Sequence, residues 1–541
     1  MTTAAKKADA GSPASAWSPF RHRAFAVLWT ATVLSNIGTW MNDVGAGWLM
    51  TSLAPSPLMV SLVQAATALP VFLFALPAGA LADIVDRRKL LLAVMTAMAV
   101  LALAMGAIVH AGVMTPLLLL TFTFALGAGA AFVAPAWQAI VPMLVPRTKL
   151  QPAVALNSVG INISRAIGPA LGGAVIAAIG IAWPFLLNAL SFVAVICALL
   201  WWRPPALPPR QLPAERFWNA IRTGLRYARS SGPLKATLVR AVAFFLFASA
   251  YWALLPLIAR QELAGGPELY GVLLGCIGAG AVGGAMLLPA LKAKLGADNL
   301  VAAGTVGTAV VLCVFALVRE PVAAAAASVL AGASWIAVLA NLNVSAQVAL
   351  PEWVRARGLS IFIAVFFGSM TAGSVLWGQV AALFGIPAAL LSAAALALIA
   401  IVVSRPFKLQ QGLDLDLSPS MHWPEPVVAE PVEPDRGPVM VTIEYRIDPA
   451  TADEFVAAME ALSRGRKRDG AFAWGLFEDA AEPGRYLEYF LVESWLEHLR
   501  QHERVTESDR ATQDRVRSFH VGDAPPKVTQ LLAAGPSDGV Q

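Results

Sequence analysis

The chain has 541 residues, 57% hydrophobic and only 13% charged, against about 25% charged in an ordinary soluble domain. That balance excludes a conventional water-soluble globule and makes a membrane protein the first reading. The net charge of +5 would suit nucleic acid if the bases were clustered. They are instead dealt to alternate loops between apolar runs, which argues for orientation in a bilayer and against a nucleic-acid partner.

Residues 1–19 are polar and Ala/Ser/Pro-rich without an apolar core and cleavage site, so they read as a disordered tail and not as a signal peptide. Runs of about 20 apolar residues, the length of a membrane-spanning helix, then recur at 24–51, 59–82, 90–110, 115–141, 153–180, 183–202, 238–260, 269–290, 298–318, 321–349, 358–384 and 386–404. Arg21, Arg23, Arg87, Arg88, Lys89, Arg147, Lys149, the bases of 203–235, Lys292, Lys294, Arg355, Arg357, Arg405 and Lys408 fall on one side; Arg260 and Arg319 fall on the other. The positive-inside rule then puts both termini in the cytoplasm, which needs an even number of spans and agrees with twelve. Cys197, Cys276 and Cys313 are scattered within spans, so neither a disulfide framework nor a metal cluster is expected, and no cofactor.

The first span carries Asn36, Trp40, Asp43 and Gly47 on one helical face. A mid-span acid costs about 2.5–3.5 kcal/mol on insertion scales, so Asp43 needs a water-filled cavity or a partner, unless it is simply hydrated near the outer interface. The second span contains Pro70 and Pro77 and ends at Gly79. There Asp83, Asp86, Arg87, Arg88 and Lys89 form a charged block that lipid-facing sequence could not hold. It reads as a gating loop, with Asp83 near the positive N-terminal end of span eleven around Arg357 and Gly358. Arg87 would pair with acids of its own loop or hold the end of span two.

Span four leaves the Gln138 amide in the membrane. Span five repeats Gly160, Ser164, Gly168 and Gly172 every fourth residue, a small face along which another backbone can approach closely. Beside it run Ser158, Asn162, Arg165 and Pro169. Arg165 cannot shed its charge and must be paired or hydrated; it either partners Asp43 or fixes packing by binding carbonyls.

Residues 203–237 form a linker with an amphipathic helix, Phe217, Ile221, Leu225 and Ala228 opposing Arg222, Arg226 and Arg229. It is expected on the inner membrane surface, joining two six-span halves, 20–202 and 238–405. The halves look duplicated: 144–149 and 350–355 both set a proline before bases, and span ten carries Asn341, Asn343, Ser345 and Gln347 where span four has Gln138. Polar groups between duplicated halves are what an alternating-access transporter needs. The expected substrate cavity is lined by Asn36, Trp40, Gln138, Asn162, Asn341, Asn343 and Gln347, with Asp43 and Arg165 as the proton-coupling pair.

Residues 406–438 are an acidic, proline-rich, extended linker. In 439–541 apolar and polar residues alternate. Strands are expected at 439–447, 472–478, 485–492 and 526–531, and helices at 453–467 and 495–519, the second broken near Thr506. That order suggests a small cytoplasmic α+β ferredoxin-like domain, a fold that often pairs its sheets into dimers. The fold class is therefore an all-α polytopic membrane protein with this domain appended.

These residues resemble a family. Gly79-x-Leu-Ala-Asp83 followed by Arg87-Arg88-Lys89 is similar to the loop signature of the major facilitator superfamily, departing at Asp86, where glycine is usual. The copy after span eight, 289–296, has no acid, which implies a one-sided latch. Gly168-Pro169-Ala-Leu-Gly172-Gly173 looks like the glycine-proline motif of the drug and metabolite exporter branch, associated with proton antiport; Ser164 stands where glycine is often found. As a whole the chain resembles siderophore (enterobactin-type) exporters of the transmembrane secretion effector branch. The resemblance implies export of a small amphipathic molecule, a siderophore, antibiotic or drug, across the bacterial inner membrane in exchange for protons. An importer or uniporter on the same fold is the alternative.

Glu493-Ser-Trp495 and the 498–502 segment resemble antibiotic-biosynthesis monooxygenase domains, which leaves a membrane-anchored oxygenase as a rival. His498 and His502 could share a ligand face, with His520 as a third metal ligand. The surrounding Glu497, Arg500, Glu503 and Arg504 are explained equally by a solvated or dimer-facing helix. Neither a metal nor catalysis is expected here, and a dimerisation or regulatory role is preferred.

Overall fold

The computed structural model describes residues 17–203, 217–351, 353–409, 420, 422–423, 428, 430–522 and 524–534, except the side chains of 80, 82–84, 147, 217–223 and 503. Most of the expected 1–19 tail and much of the 406–438 linker lie outside the described residues. The chain divides into two compact units. One comprises Met1–Ala214, Val239–Leu342 and Phe362–Pro406, the other Glu215–Leu238, Asn343–Ile361 and Phe407–Gln541.

The first unit is built from α1 (Arg23–Leu53), α2 (Pro57–Ile84), α3 (Arg87–His110), α4 (Pro116–Ile140), α5 (Leu150–Ile179) and α6 (Trp183–Trp201). After a linker helix, α7 (Phe217–Ser230), come α8 (Gly232–Leu257), α9 (Pro267–Leu317), α10 (Pro321–Val348), α11 (Arg355–Phe384) and α12 (Ile386–Ser404). Among the described residues, eleven helices are long and apolar enough to cross a membrane. The chain is thus a multi-pass membrane protein. The eighth and ninth apolar runs are two helical segments within α9, separated by a kink at Gly296 with φ 73° and ψ 173°, a conformation glycine adopts without steric cost. Proline opens α2, α4 and α9, where its fixed φ suits the first turn and its missing N–H costs nothing.

The core of this unit is organised around α5. Gly160, Ser164, Gly168 and Gly172 are all buried and face α1. A Cβ at Gly168 would stand 2.6 Å from the Trp40 Cβ, and one at Gly172 3.0 Å from the Met41 Cα. The Ser164 hydroxyl donates to the Gly160 carbonyl at 2.9 Å and lies 3.2 Å from that of Val33, so the small-for-small change keeps the close face. Gly173, beside that face, meets Gly271 of α9. One helix therefore holds α1 on one side and α9 on the other.

In the second unit, β1 (Val439–Arg446), α13 (Ala452–Asp469), β2 (Ala473–Glu478), β3 (Arg485–Val492), α14 (Trp495–Arg504), α15 (Glu507–Arg517) and β4 (Lys527–Leu532) follow one another. The strands form an antiparallel sheet in the order β2-β3-β1-β4. Val439, Val441, Ile443 and Tyr445 of β1 alternate into a core with Phe455, Met459, Phe490 and Trp495, the period-2 pattern of a sheet covered on one face. The break between α14 and α15 is a capping box. The Thr506 hydroxyl accepts from the Asp509 N–H, and the Asp509 carboxylate accepts from the Thr506 N–H.

The linker helix corrects an expectation. It forms, but Tyr227 and Ala228 are buried within the protein, the Tyr227 hydroxyl donates to the Ala349 carbonyl at 2.9 Å, and Arg226 lies 3.8 Å from Glu497. Its last turns make protein contacts, Arg226 near a carboxylate and Tyr227 on a carbonyl.

Candidate functional site

The expected charged site is only partly assembled. Trp40 lies beneath Arg165, whose guanidinium carbon is 5.9 Å from the ring centroid. A weakly hydrated planar cation over indole is favourable in a desolvated setting. Gly168 makes this approach feasible, since any side chain there would displace Trp40. Asp43, three residues along the same face, forms no ion pair with Arg165. Asn42 lies beside it as a hydrogen-bonding neighbour.

Each charge instead has a tyrosine of the second half in electrostatic reach. Tyr270 of α9 is near Asp43 and stacks on Trp48 at 6.3 Å; Tyr251 of α8 is near Arg165. The Tyr251 hydroxyl is buried without a hydrogen-bond partner. Sequence reasoning missed both, although a signal existed: of six tyrosines, only these two fall in apolar spans.

The remaining expected cavity residues divide. Asn36 shares the Trp40 face of α1 and is half-buried. Asn162 donates to its own helix at Ser158, 2.9 Å away, and the buried Asn341 donates to Ala337 at 2.8 Å. Gln138 is exposed near the end of α4. Asn343 and Gln347 hydrogen-bond each other at 2.6 Å.

The second half supplies an aromatic wall that the sequence reading overlooked. Phe245 stands 4.4 Å from Phe366 and 5.3 Å from Trp335, and Trp335 stands 5.4 Å from Trp252. Phe244, Tyr251 and Phe367 extend it. The paired aromatics at 244–245, 251–252 and 366–367 were the legible signal.

At the end of the bundle carrying Thr51, the halves touch. Arg260, in a π-helical turn at Ile258–Glu262, donates to the hydroxyls of Thr51 at 2.8 Å and Ser52 at 2.6 Å and lies 5.6 Å from the Trp48 centroid. Glu262 pairs with Arg319 at 2.6 Å. Gly378 of α11 abuts Ser61 of α2 with no room for a Cβ.

The charged block at the opposite end of α2 differs from expectation. Asp86 caps α3, accepting from the Lys89 N–H at 2.9 Å. Arg88 donates to the carbonyls of Leu199 at 2.7 Å and Leu200 at 3.0 Å, and Arg87 reaches that of Ala139 at 3.5 Å. The arginines thus satisfy the last carbonyls of α6 and α4, where helix dipoles favour cations. Gly79 sits in the last turns of α2 with open space at its Cβ. The Asp83 side chain lies outside the described residues. The second half does carry an acid after the 289–296 segment: Asp298 pairs with the buried Arg240 of α8 at 3.0 Å.

In the second unit His520 is committed elsewhere, its Nδ1 accepting from the Arg446 N–H at 2.9 Å. His498 and His502 meet edge-on at 5.0 Å, and no group of three metal-ligating side chains exists among the described residues. Burial first, then the neighbouring His502, pushes the His498 imidazole down to about 4, so it is neutral at neutral pH. Nearby, the fully buried Glu488 accepts from Arg466 at 3.1 Å, Tyr445 at 3.0 Å and Trp474 at 3.1 Å, a satisfied polar core.

Apolar helices with charges at the contact between two halves define the class, a secondary transporter of the major facilitator type acting on a small molecule. The chain belongs to the transmembrane secretion effector family, whose pattern matches residues 14–537. Among curated relatives, it is 22% identical to a staphyloferrin A transporter of Staphylococcus aureus over 50% of this chain and 68% of that one. It is 27% identical to the enterobactin exporter EntS of Citrobacter koseri over 59% and 76%. Similar solved folds include an inward-facing, unoccupied bacterial homologue of the human lysosomal transporter Spinster, with TM-score 0.54, 16% identity and coverage of 73% and 95%. Another is the nucleoside transporter NupG, with TM-score 0.54, 11% identity and coverage of 71% and 98%.

Proposed function

We propose that this protein exports a small amphipathic organic molecule, of the siderophore, antibiotic or drug class, across the bacterial inner membrane by alternating access in exchange for protons. The observation that carries the reading is the Asp43–Trp40–Arg165 face, which sets unpaired charges of the first half against tyrosines and an aromatic wall of the second. An acid and a guanidinium held apart can exchange partners as water and substrate enter. The relatives named for staphyloferrin A and enterobactin support a siderophore-like cargo.

In this reading there are twelve spans, α9 contributing two on either side of Gly296, with both termini cytoplasmic. The Arg260 contact is the closed outer gate of an inward-facing state. Asp83 remains the proposed inner latch. The domains keep the bounds 20–202, 203–237, 238–405 and 439–541, the last a ferredoxin-like domain. Its exposed Phe477, Leu487 and Leu531 support a role in pairing two copies.

The test uses everted membrane vesicles with an acid interior. Adding a transported cargo should alkalinise the interior as protons leave in exchange. A cargo that accumulates without moving protons would leave uniport as the function. Comparing metabolites retained by cells lacking the protein and by cells with it restored identifies the cargo.

A further inference from the structure

The second unit holds a cavity of about 220 Å³ that the transport reading does not use. Its walls come from three places: Tyr227 of the linker helix, Ala349 of the α10–α11 connection, and α13, α14 and α15 of the C-terminal part, with Trp423. Drug-sized sites run to about 300–1,000 Å³, so this one suits a smaller molecule than an amphipathic cargo.

Its polar lining is specific. Arg468 is already committed, donating to both oxygens of Asp469 at 2.8 and 2.9 Å and to Asp509 at 2.6 Å. Both carboxylates of the cavity are thereby tied to Arg468. Arg464, on the same helix, is exposed and has no carboxylate partner among the described residues, which leaves one guanidinium of the cavity wall available to an anion. The decisive group is Gln501. It lines the cavity, is 1% exposed and lies beside His498, yet neither its Nε2 nor its Oε1 makes a hydrogen bond of good geometry. A buried amide with both functions unmet is costly for folding alone. It suits a ligand group that donates and accepts at once, as a hydroxyl does.

We propose that this cavity binds a small hydroxycarboxylate, the carboxylate held by Arg464 and the hydroxyl read by Gln501. Because Tyr227 and Ala349 are walls of the same cavity, the bound acid bridges the C-terminal part to the linker helix and the α10–α11 connection. On the transporter reading this makes it an effector site and not a cargo site.

Calorimetric titration of the full chain in detergent tests it, with malate as the probe and succinate, which lacks the hydroxyl, for comparison. Malate should bind saturably and at least about tenfold more tightly than succinate, the difference one good hydrogen bond makes. Gln501→Leu should erase that preference without lowering the melting temperature, since it removes an unmet amide. Arg464→Ala, at an exposed position, should weaken both acids. Asp43→Asn should leave malate binding unchanged, which separates this site from the transport site. Absence of saturable malate binding, equal displacement by sulfate, or a Gln501→Leu variant that melts lower yet binds malate normally would each overturn the proposal.

Discussion

The two halves of the helical bundle solve different problems with different residues. In the first, α1 and α5 carry an acid, a guanidinium and two amides, Asp43, Arg165, Asn36 and Asn162, brought together by a buried small-residue stripe. In the second, α8, α10 and α11 present rings, with Phe245, Trp252, Trp335 and Phe366 in mutual contact. A duplicated fold thus carries an unduplicated chemistry. On the proposed function, charge handling falls to one half and apolar recognition to the other, a division that fits an amphipathic cargo.

The largest expected effect comes from Arg165. Arg165→Ala should abolish cargo accumulation in proteoliposomes. Arg165→Lys, which keeps the charge but loses the planar stack on Trp40, should retain transport reduced by up to about tenfold. Full activity in the alanine variant would break the assignment of charge handling to the first half.

Gly168→Ala should cost about 1–3 kcal/mol through overpacking, because the added Cβ meets Trp40 at 2.6 Å. Thermal unfolding in detergent should show a melting point lower by several degrees, and an unchanged one would mean that α1 and α5 separate freely. Trp335→Leu should raise the KM for cargo by roughly tenfold, with kcat little altered, as expected when uniform binding by one ring is lost. A fall in kcat at unchanged KM would instead place the aromatic wall in the conformational cycle.

Arg260→Ala should have the smallest effect. Its hydrogen bonds are partly exposed, so their loss is worth about 1 kcal/mol and shifts the population of closed outer ends roughly fivefold. Distances between spin labels at the outer ends of α1 and α8 report that shift, and an unaltered distribution removes Arg260 from the gate.

Much of this architecture was legible in the sequence because lipid imposes a simple rule: long apolar runs must be helices. The strands of the C-terminal part and the break at Thr506 were legible for a related reason, since period-2 burial and a Thr506–Asp509 cap are local signals. The separate runs at 269–290 and 298–318 were legible too, and the kink at Gly296 falls between them. The α1 face was readable from spacing, but its partners were not. Tyr251 and Tyr270 reach Arg165 and Asp43 from distant helices, and periodicity carries no information about which helices meet. For the same reason the contact of Arg87 with a carbonyl of α4 was not legible. The acid after span eight was overlooked for a simpler reason, as Asp298 lies two residues beyond the segment compared.

The most direct test is the pH dependence of cargo transport in proteoliposomes for the wild type, Asp43→Asn and Trp335→Leu measured together. If charge handling and recognition are divided between the halves, Asp43→Asn keeps cargo affinity but loses acceleration by a proton gradient, and Trp335→Leu keeps that acceleration with weakened affinity. Full gradient-driven export by Asp43→Asn would contradict the account.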